Sequence, residues 1–185
     1  MNSAITSREE ILRVCGGLIA KNGLAALNMR EVARSCGVAL GSLYNYFPSK
    51  SELAIAAIES VWQEIFRAAR PCSEELPFPE RLRSIFDSVS AGMVEYPNFF
   101  TAHSIGFVGG EKGEARKTME RYLLHMKNGL LEALKRDSAL RRDAFDAAFT
   151  PEALVDFAVS GLLTLLMRRE DSCEVLLELI RRSIY

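Results

Sequence analysis

The sequence predicts an all-α fold of about nine helices, a short three-helix segment at the start and a larger helical body behind it. Three observations predict it. Apolar residues recur at three- and four-residue spacing along most of the chain, the stripe of an amphipathic helix rather than the alternation of a strand. Capping residues stand where these stripes begin, and Gly or Pro where they end. No strand-length alternating run, internal repeat or low-complexity tract interrupts the pattern.

The elements follow in order. From Ile11 the apolar positions are Val14, Cys15, Leu18 and Ile19. Thr6 or Ser7 is expected to cap this helix, with Glu9 or Glu10 closing the box, and Gly23 to end it in the left-handed conformation. A second helix opens at Asn28, with Glu31 three residues on, and ends at Gly37. A third, short helix runs from about Leu40 to Tyr46 and stops before Pro48. Ser49 with Glu52 opens a long helix through Leu53, Ala57, Ile58, Val61, Ile65 and Phe66, and Pro71, Pro77 and Pro79 then break the pattern. Residues 81–95 are periodic up to Pro97. Residues 98–108 are rich in aromatics, and 109–113 (GGEKG) read as a mobile loop. Residues 114–135 form another long helix, followed by a polar stretch through Asp146. Thr150-Pro151 is a strong helix start, and the last helix is expected from Asp171, with Glu174 three residues later.

Composition bounds the function. The 185 residues carry a net charge of −1, so the chain as a whole is no basic coat for nucleic acid. Residues 1–50 nevertheless hold six basic side chains (Arg8, Arg13, Lys21, Arg30, Arg34, Lys50) against three acidic ones (Glu9, Glu10, Glu31), leaving −4 for the rest. A mildly basic head on an acidic body fits local contact with an anion. Cys15, Cys36, Cys72 and Cys173 form no C-x-x-C pair, and His103 and His125 are not at zinc-ligand spacing from them. Neither a metal nor a cofactor is expected. GFVGGEKG lacks the ending of a phosphate loop, and neither histidine has a nucleophile at motif spacing, so no enzyme is expected. The first residues, MNSAITSREE, do not read as a signal peptide. The most apolar run, Phe157–Met167, is too short to span a bilayer. A cytoplasmic protein with no membrane partner is the expectation.

The informative stretch is the first fifty residues. In Val32-Ala33-Arg34-Ser35-Cys36-Gly37-Val38, small and apolar residues stand where two helices must approach. Ala33 lets them pack, Gly37 makes the turn, and Val38 and Leu43 plug the space between. This is the grammar of a helix-turn-helix, whose second helix is short enough to enter a major groove. Tyr44, Asn45, Tyr46 and Lys50 add hydroxyl, amide and ammonium donors suited to phosphates, and Lys50 sits in the first turn of the next helix.

Residues 23–53, GLAALNMREVARSCGVALGSLYNYFPSKSEL, resemble the DNA-binding domain of the TetR family of bacterial transcriptional regulators. The matching elements are Gly23, Arg30-Glu31-Val32-Ala33, Cys36-Gly37-Val38, Gly41-Ser42-Leu43-Tyr44, and Tyr46-Phe47-Pro48-Ser49-Lys50 with Leu53. The resemblance covers roughly residues 8–66. It implies that Arg30, Ser42, Tyr44, Asn45, Tyr46 and Lys50 face double-stranded operator DNA, with Ser42 and Asn45 at base edges and Tyr44, Tyr46 and Lys50 on phosphates. Two positions depart from the pattern. Ala39 replaces the hydroxyl residue that commonly caps the reading helix, at a cost of about 1 kcal/mol. Leu40 replaces a polar or basic residue and is suited instead to a thymine methyl group.

The resemblance further implies a division into residues 1–50, which bind DNA, and 51–185, which bind a small-molecule effector and pair two subunits. Trp62, Phe66, Met93, Phe99, Phe100, His103, Phe107, Tyr122, His125 and Met126 have the composition of a ligand pocket between helices, and equally that of a bundle core. The last two helices carry more apolar surface than one face needs, which points to a homodimer. Leu154, Ala158, Gly161, Leu162, Leu165, Leu176 and Ile180 are the expected contacts. The expected function is a repressor released from a pseudo-palindromic operator by its effector. The alternatives are a DNA-bound activator or partner protein, and a ligand-binding module whose head has lost DNA specificity.

Overall fold

Four helices begin at a short polar side chain that accepts a hydrogen bond from the backbone N–H three residues on. Ser7 accepts from Glu10 (3.1 Å), Asn28 from Glu31 (2.9 Å), Ser49 from Glu52 (3.1 Å) and Thr150 from Ala153 (3.1 Å). Each bond satisfies an N–H group that the helix itself cannot, and is worth about 1 kcal/mol. The computed structural model describes residues 7–69, 76–97, 99 and 112–185. Its α-helices are α1 (Arg8–Asn22), α2 (Met29–Cys36), α3 (Leu40–Tyr46), α4 (Lys50–Ala69), α5 (Phe78–Glu95), α6 (Lys112–Arg136), α7 (Pro151–Met167) and α8 (Glu174–Ile184). The described residues contain no strand. The fold is all-α, with eight helices among those residues against about nine expected.

Four boundaries differ from the sequence reading, each for a local reason. Gly23 has a positive φ of 75° but an extended ψ of 169°, so it leads into a short 3-10 turn, Leu24–Ala26, rather than a left-handed cap. Gly37, with φ 69° and ψ 26°, is left-handed as expected. Helix α5 starts at Phe78 and takes Pro79 into its first turn, where proline's missing N–H has no partner to lose. Helix α6 begins at Lys112 and so includes two residues of the expected loop; residues 109–111 lie outside the described residues. Helix α8 starts at Glu174, not Asp171. Arg169 has a φ of 56°, and the next N–H, of Glu170, turns back to the Leu165 carbonyl (3.0 Å). Residues 171–173 are then needed to reverse the chain, and Ser172 takes the Glu174 N–H (3.1 Å).

Compactness divides the chain into two units, residues 1–65 with 92–120 and residues 66–91 with 121–185. Ile11, Cys15, Ile19, Val32, Leu43, Phe47 and Leu53 are fully buried in the first. Phe78, Leu82, Leu134, Leu177, Ile180 and Ile184 are fully buried in the second. There the Tyr185 hydroxyl donates to the Asp137 carboxylate and accepts from the Phe78 N–H. Arg181 bridges Glu80 (3.1 Å) and Glu174 (2.9 Å), so α8 is tied to α5 within that unit. No helix among the described residues is long and apolar enough to cross a membrane.

Candidate nucleic-acid interface

Helices α2 and α3 share one core and leave one surface free. Met29, Val32, Ala33 and Cys36 form the buried side of α2, and Leu43 is the one buried residue of α3. Phe47, four residues on, is also fully buried, so Leu43 and Phe47 anchor α3 by a single stripe. Val38 is half-buried at the turn. Everything else on α3 faces outward: Gly41, Ser42, Tyr44 and Asn45 are exposed, and Leu40 and Tyr46 are half-buried. Arg30 and Lys50 are exposed as well. All seven residues expected at DNA thus keep solvent-facing surface around one helix about 10 Å long. Arg34 is engaged on its own helix, where it donates to Glu31 at 2.5 and 3.1 Å. That bond holds the Glu31 carboxyl below its ordinary range.

The start and the end of α3 differ. Ala39 offers no side-chain cap, as its lack of a hydroxyl dictates. The end is held from a distance: Arg8 Nη1 donates to the Tyr46 carbonyl (3.2 Å), and the guanidinium lies 4.4 Å from the Phe47 ring centroid. A cation is favoured both at a helix C-terminus and over an aromatic face. The sequence reading missed Arg8, because a basic residue at the start of α1 carries no sign of a partner 38 positions away. Beneath the surface, burial followed by the neighbouring Cys36 pushes the Cys15 thiol up to about 12. That suits a protonated thiol filling the core.

The residues expected at a ligand are divided between the two units. Trp62 and Phe99 are buried and meet edge to face, 5.6 Å between centroids, and Met93 is half-buried in the same unit. His125 is exposed and Met126 half-buried on α6, in the other unit. Phe100, His103 and Phe107, and the side chains of Phe66 and Tyr122, lie outside the described residues. Tyr96 joins the first group and was not foreseen, since its position before Pro97 reads only as a helix stop. It is 4% exposed, and its hydroxyl donates to Glu64 at 3.0 Å.

In the last helix pair, most of the residues expected at a partner subunit serve the chain's own core. Leu154, Ala158, Leu162, Leu176 and Ile180 are buried within the second unit, and Gly161 and Leu165 are half-buried. A β-carbon on Gly161 would come within 3.0 Å of Leu176, so this glycine serves the approach of α7 and α8 to each other. The exposed apolar side chains are instead Phe157, Leu163 and Met167 on α7, and Val175 and Leu179 on α8.

Residues 11–57 match the family model for bacterial regulatory proteins, tetR family. The HTH-type transcriptional repressor KstR of Rhodococcus jostii (strain RHA1) is 26% identical over 174 residues, 94% of this chain and 79% of that protein. Among solved structures, the fold is similar to the transcriptional regulator FadR from Bacillus subtilis in complex with stearoyl-CoA. The TM-score is 0.66 at 18% identity, covering 97% of this chain and 100% of that one. It is also similar to AibR in complex with isovaleryl coenzyme A and operator DNA, with a TM-score of 0.51 at 18% identity over 85% and 84% of the two chains.

Proposed function

We propose that this chain, whose residues 11–57 match the family model for bacterial regulatory proteins, tetR family, is a ligand-responsive transcriptional repressor of that family, acting in the cytoplasm as a homodimer and not as an enzyme. The observation that carries this reading is the one-sided anchoring of α3. Leu43 and Phe47 point inward while Ser42, Tyr44 and Asn45 stand exposed, with Lys50 opening the next helix. Two such helices, about 34–36 Å apart in a dimer, reach successive major grooves of a pseudo-palindrome. Ser42 and Asn45 read base edges, Leu40 contacts a thymine methyl, and Arg30, Tyr44, Tyr46 and Lys50 hold the backbone. The functional division stays at residue 50, with DNA contact before it and effector binding and pairing after it.

The dimer face in this reading is Phe157, Leu163, Met167, Val175 and Leu179. It is apolar and exposed, and a two-fold axis through it makes it self-complementary. The seven residues expected from the sequence then support that face from beneath. Acyl-CoA thioesters are the first effector class to test, since two proteins of similar fold hold stearoyl-CoA and isovaleryl coenzyme A. An effector acts only by binding the DNA-competent and DNA-incompetent arrangements with different affinity. The uncapped start of α3 favours one second reading, a ligand-binding module without DNA specificity.

Replacing Tyr44 and Lys50 together by alanine tests the assignment of these side chains to phosphates. Binding weakens on every DNA sequence, and the slope of log affinity against log salt falls by about one for each phosphate that the protein no longer neutralises. Operator affinity unchanged in the double variant refutes the assignment.

A further inference from the structure

Three helices of the first unit meet at one phenol. Tyr96, just past the end of α5, donates its hydroxyl to Glu64 of α4. A β-carbon placed on Gly16 of α1 would lie 3.8 Å from that hydroxyl oxygen. Helix α1 therefore turns its Gly16 face toward the phenol, with room for a methyl group between them. On its other side, the Tyr96 ring meets Phe99 edge to face at 6.3 Å, and Phe99 meets Trp62 of α4 at 5.6 Å. One turn earlier, a β-carbon on Gly92 would sit 2.7 Å from Cγ1 of Ile65, so the Ile65 side chain of α4 occupies the space that a methyl group on α5 would need. Burial and the Glu64 carboxylate both keep the phenol protonated, hence a donor.

We propose that Tyr96 is a positioning residue for DNA binding. Its hydroxyl, held by Glu64 and faced by Gly16, sets where α1 carries the α2–α3 pair, and its ring ties that placement to Phe99 and Trp62. Helix α1 packs on α2 and α2 on α3, so a displacement of α1 reaches the reading helix. Packed groups of this kind shift between discrete arrangements rather than deforming smoothly. Coupling between two sites is reciprocal: whatever disturbs Trp62 alters the grip on DNA, and DNA on α3 alters the surroundings of Trp62. The inference rests on the DNA-binding reading above.

Trp62 is the only tryptophan in the chain, so its emission reports on this cluster. The full chain is titrated with a fluorescently end-labelled duplex that it has itself selected from random DNA. Duplex anisotropy and tryptophan emission are followed in the same samples. The expected result is an emission shift over the concentration range in which anisotropy rises. Tyr96→Phe keeps the ring but not the donor; it loses the emission shift and weakens duplex affinity about fivefold, the low end of ordinary coupling between sites. Glu64→Gln keeps an acceptor and keeps the shift, whereas Glu64→Leu behaves like Tyr96→Phe. A Tyr96→Phe protein with the full shift and full affinity overturns the inference. So does a parent protein whose emission stays flat while anisotropy rises. Anisotropy that never rises is a different failure: it overturns the DNA-binding reading and takes this inference with it.

Discussion

The α2–α3 pair and the α7–α8 pair are both two helices joined by a short turn, yet their working surfaces differ in how openly they are written. In α2–α3 the inward residues are apolar and the outward ones polar, so the buried stripe and the free surface separate by residue type. In α7–α8 both sides are apolar. Leu154, Ala158 and Leu162 are buried while Phe157, Leu163 and Met167 stand exposed on the same helix. Hydrophobicity marks a surface only where its opposite side is polar. Where both sides are apolar, the spacing shows that two stripes exist and not which one turns inward.

Paired substitutions on α7 test that contrast with the largest effect. Leu162→Ala removes a core side chain and is expected to cost about 2–5 kcal/mol of stability, read as a lowered denaturant midpoint. Phe157→Glu leaves the fold intact and releases monomers, read by sedimentation. The reverse assignment, a stable monomer from Leu162→Ala and an unfolded chain from Phe157→Glu, breaks the comparison.

Within the first unit the effects are smaller. Gly92→Ala forces a methyl group against Ile65, a branched side chain with little freedom to move aside, and is expected to cost about 1–3 kcal/mol of stability. Arg8→Ala removes one hydrogen bond and one cation–π interaction at the end of α3. We expect about 1 kcal/mol, or roughly fivefold, in operator affinity, measured by anisotropy. Gly16→Ala should act oppositely to Gly92→Ala. Its methyl group meets Tyr96 at ordinary van der Waals distance, and a helix gains about 0.5–1 kcal/mol from alanine over glycine, so the melting temperature rises.

Local chemistry was legible in the sequence, and distant pairing was not. The caps Asn28, Ser49 and Thr150 were read directly, because a cap and the N–H it accepts lie three residues apart. The turn at Gly37 was read for the same reason. The start of α8 was missed because Arg169, a residue type that seldom takes a positive φ, closes α7 and delays the next helix. The contacts of Arg8 and Tyr96 were missed because each has its partner more than thirty positions away. Nothing in local spacing announces such a partner. Which apolar stripe of α7–α8 stays exposed was not legible, because both stripes are of the same residue type.

Selection of DNA from a random pool by the purified chain tests the central claim most directly. The expected result is enrichment of one pseudo-palindrome whose half-sites are centred about one helical turn, or a multiple of it, apart. Enrichment must be lost with Tyr44 and Lys50 replaced together. A pool that remains random after repeated rounds with the unaltered protein contradicts the account and leaves a ligand-binding module in its place.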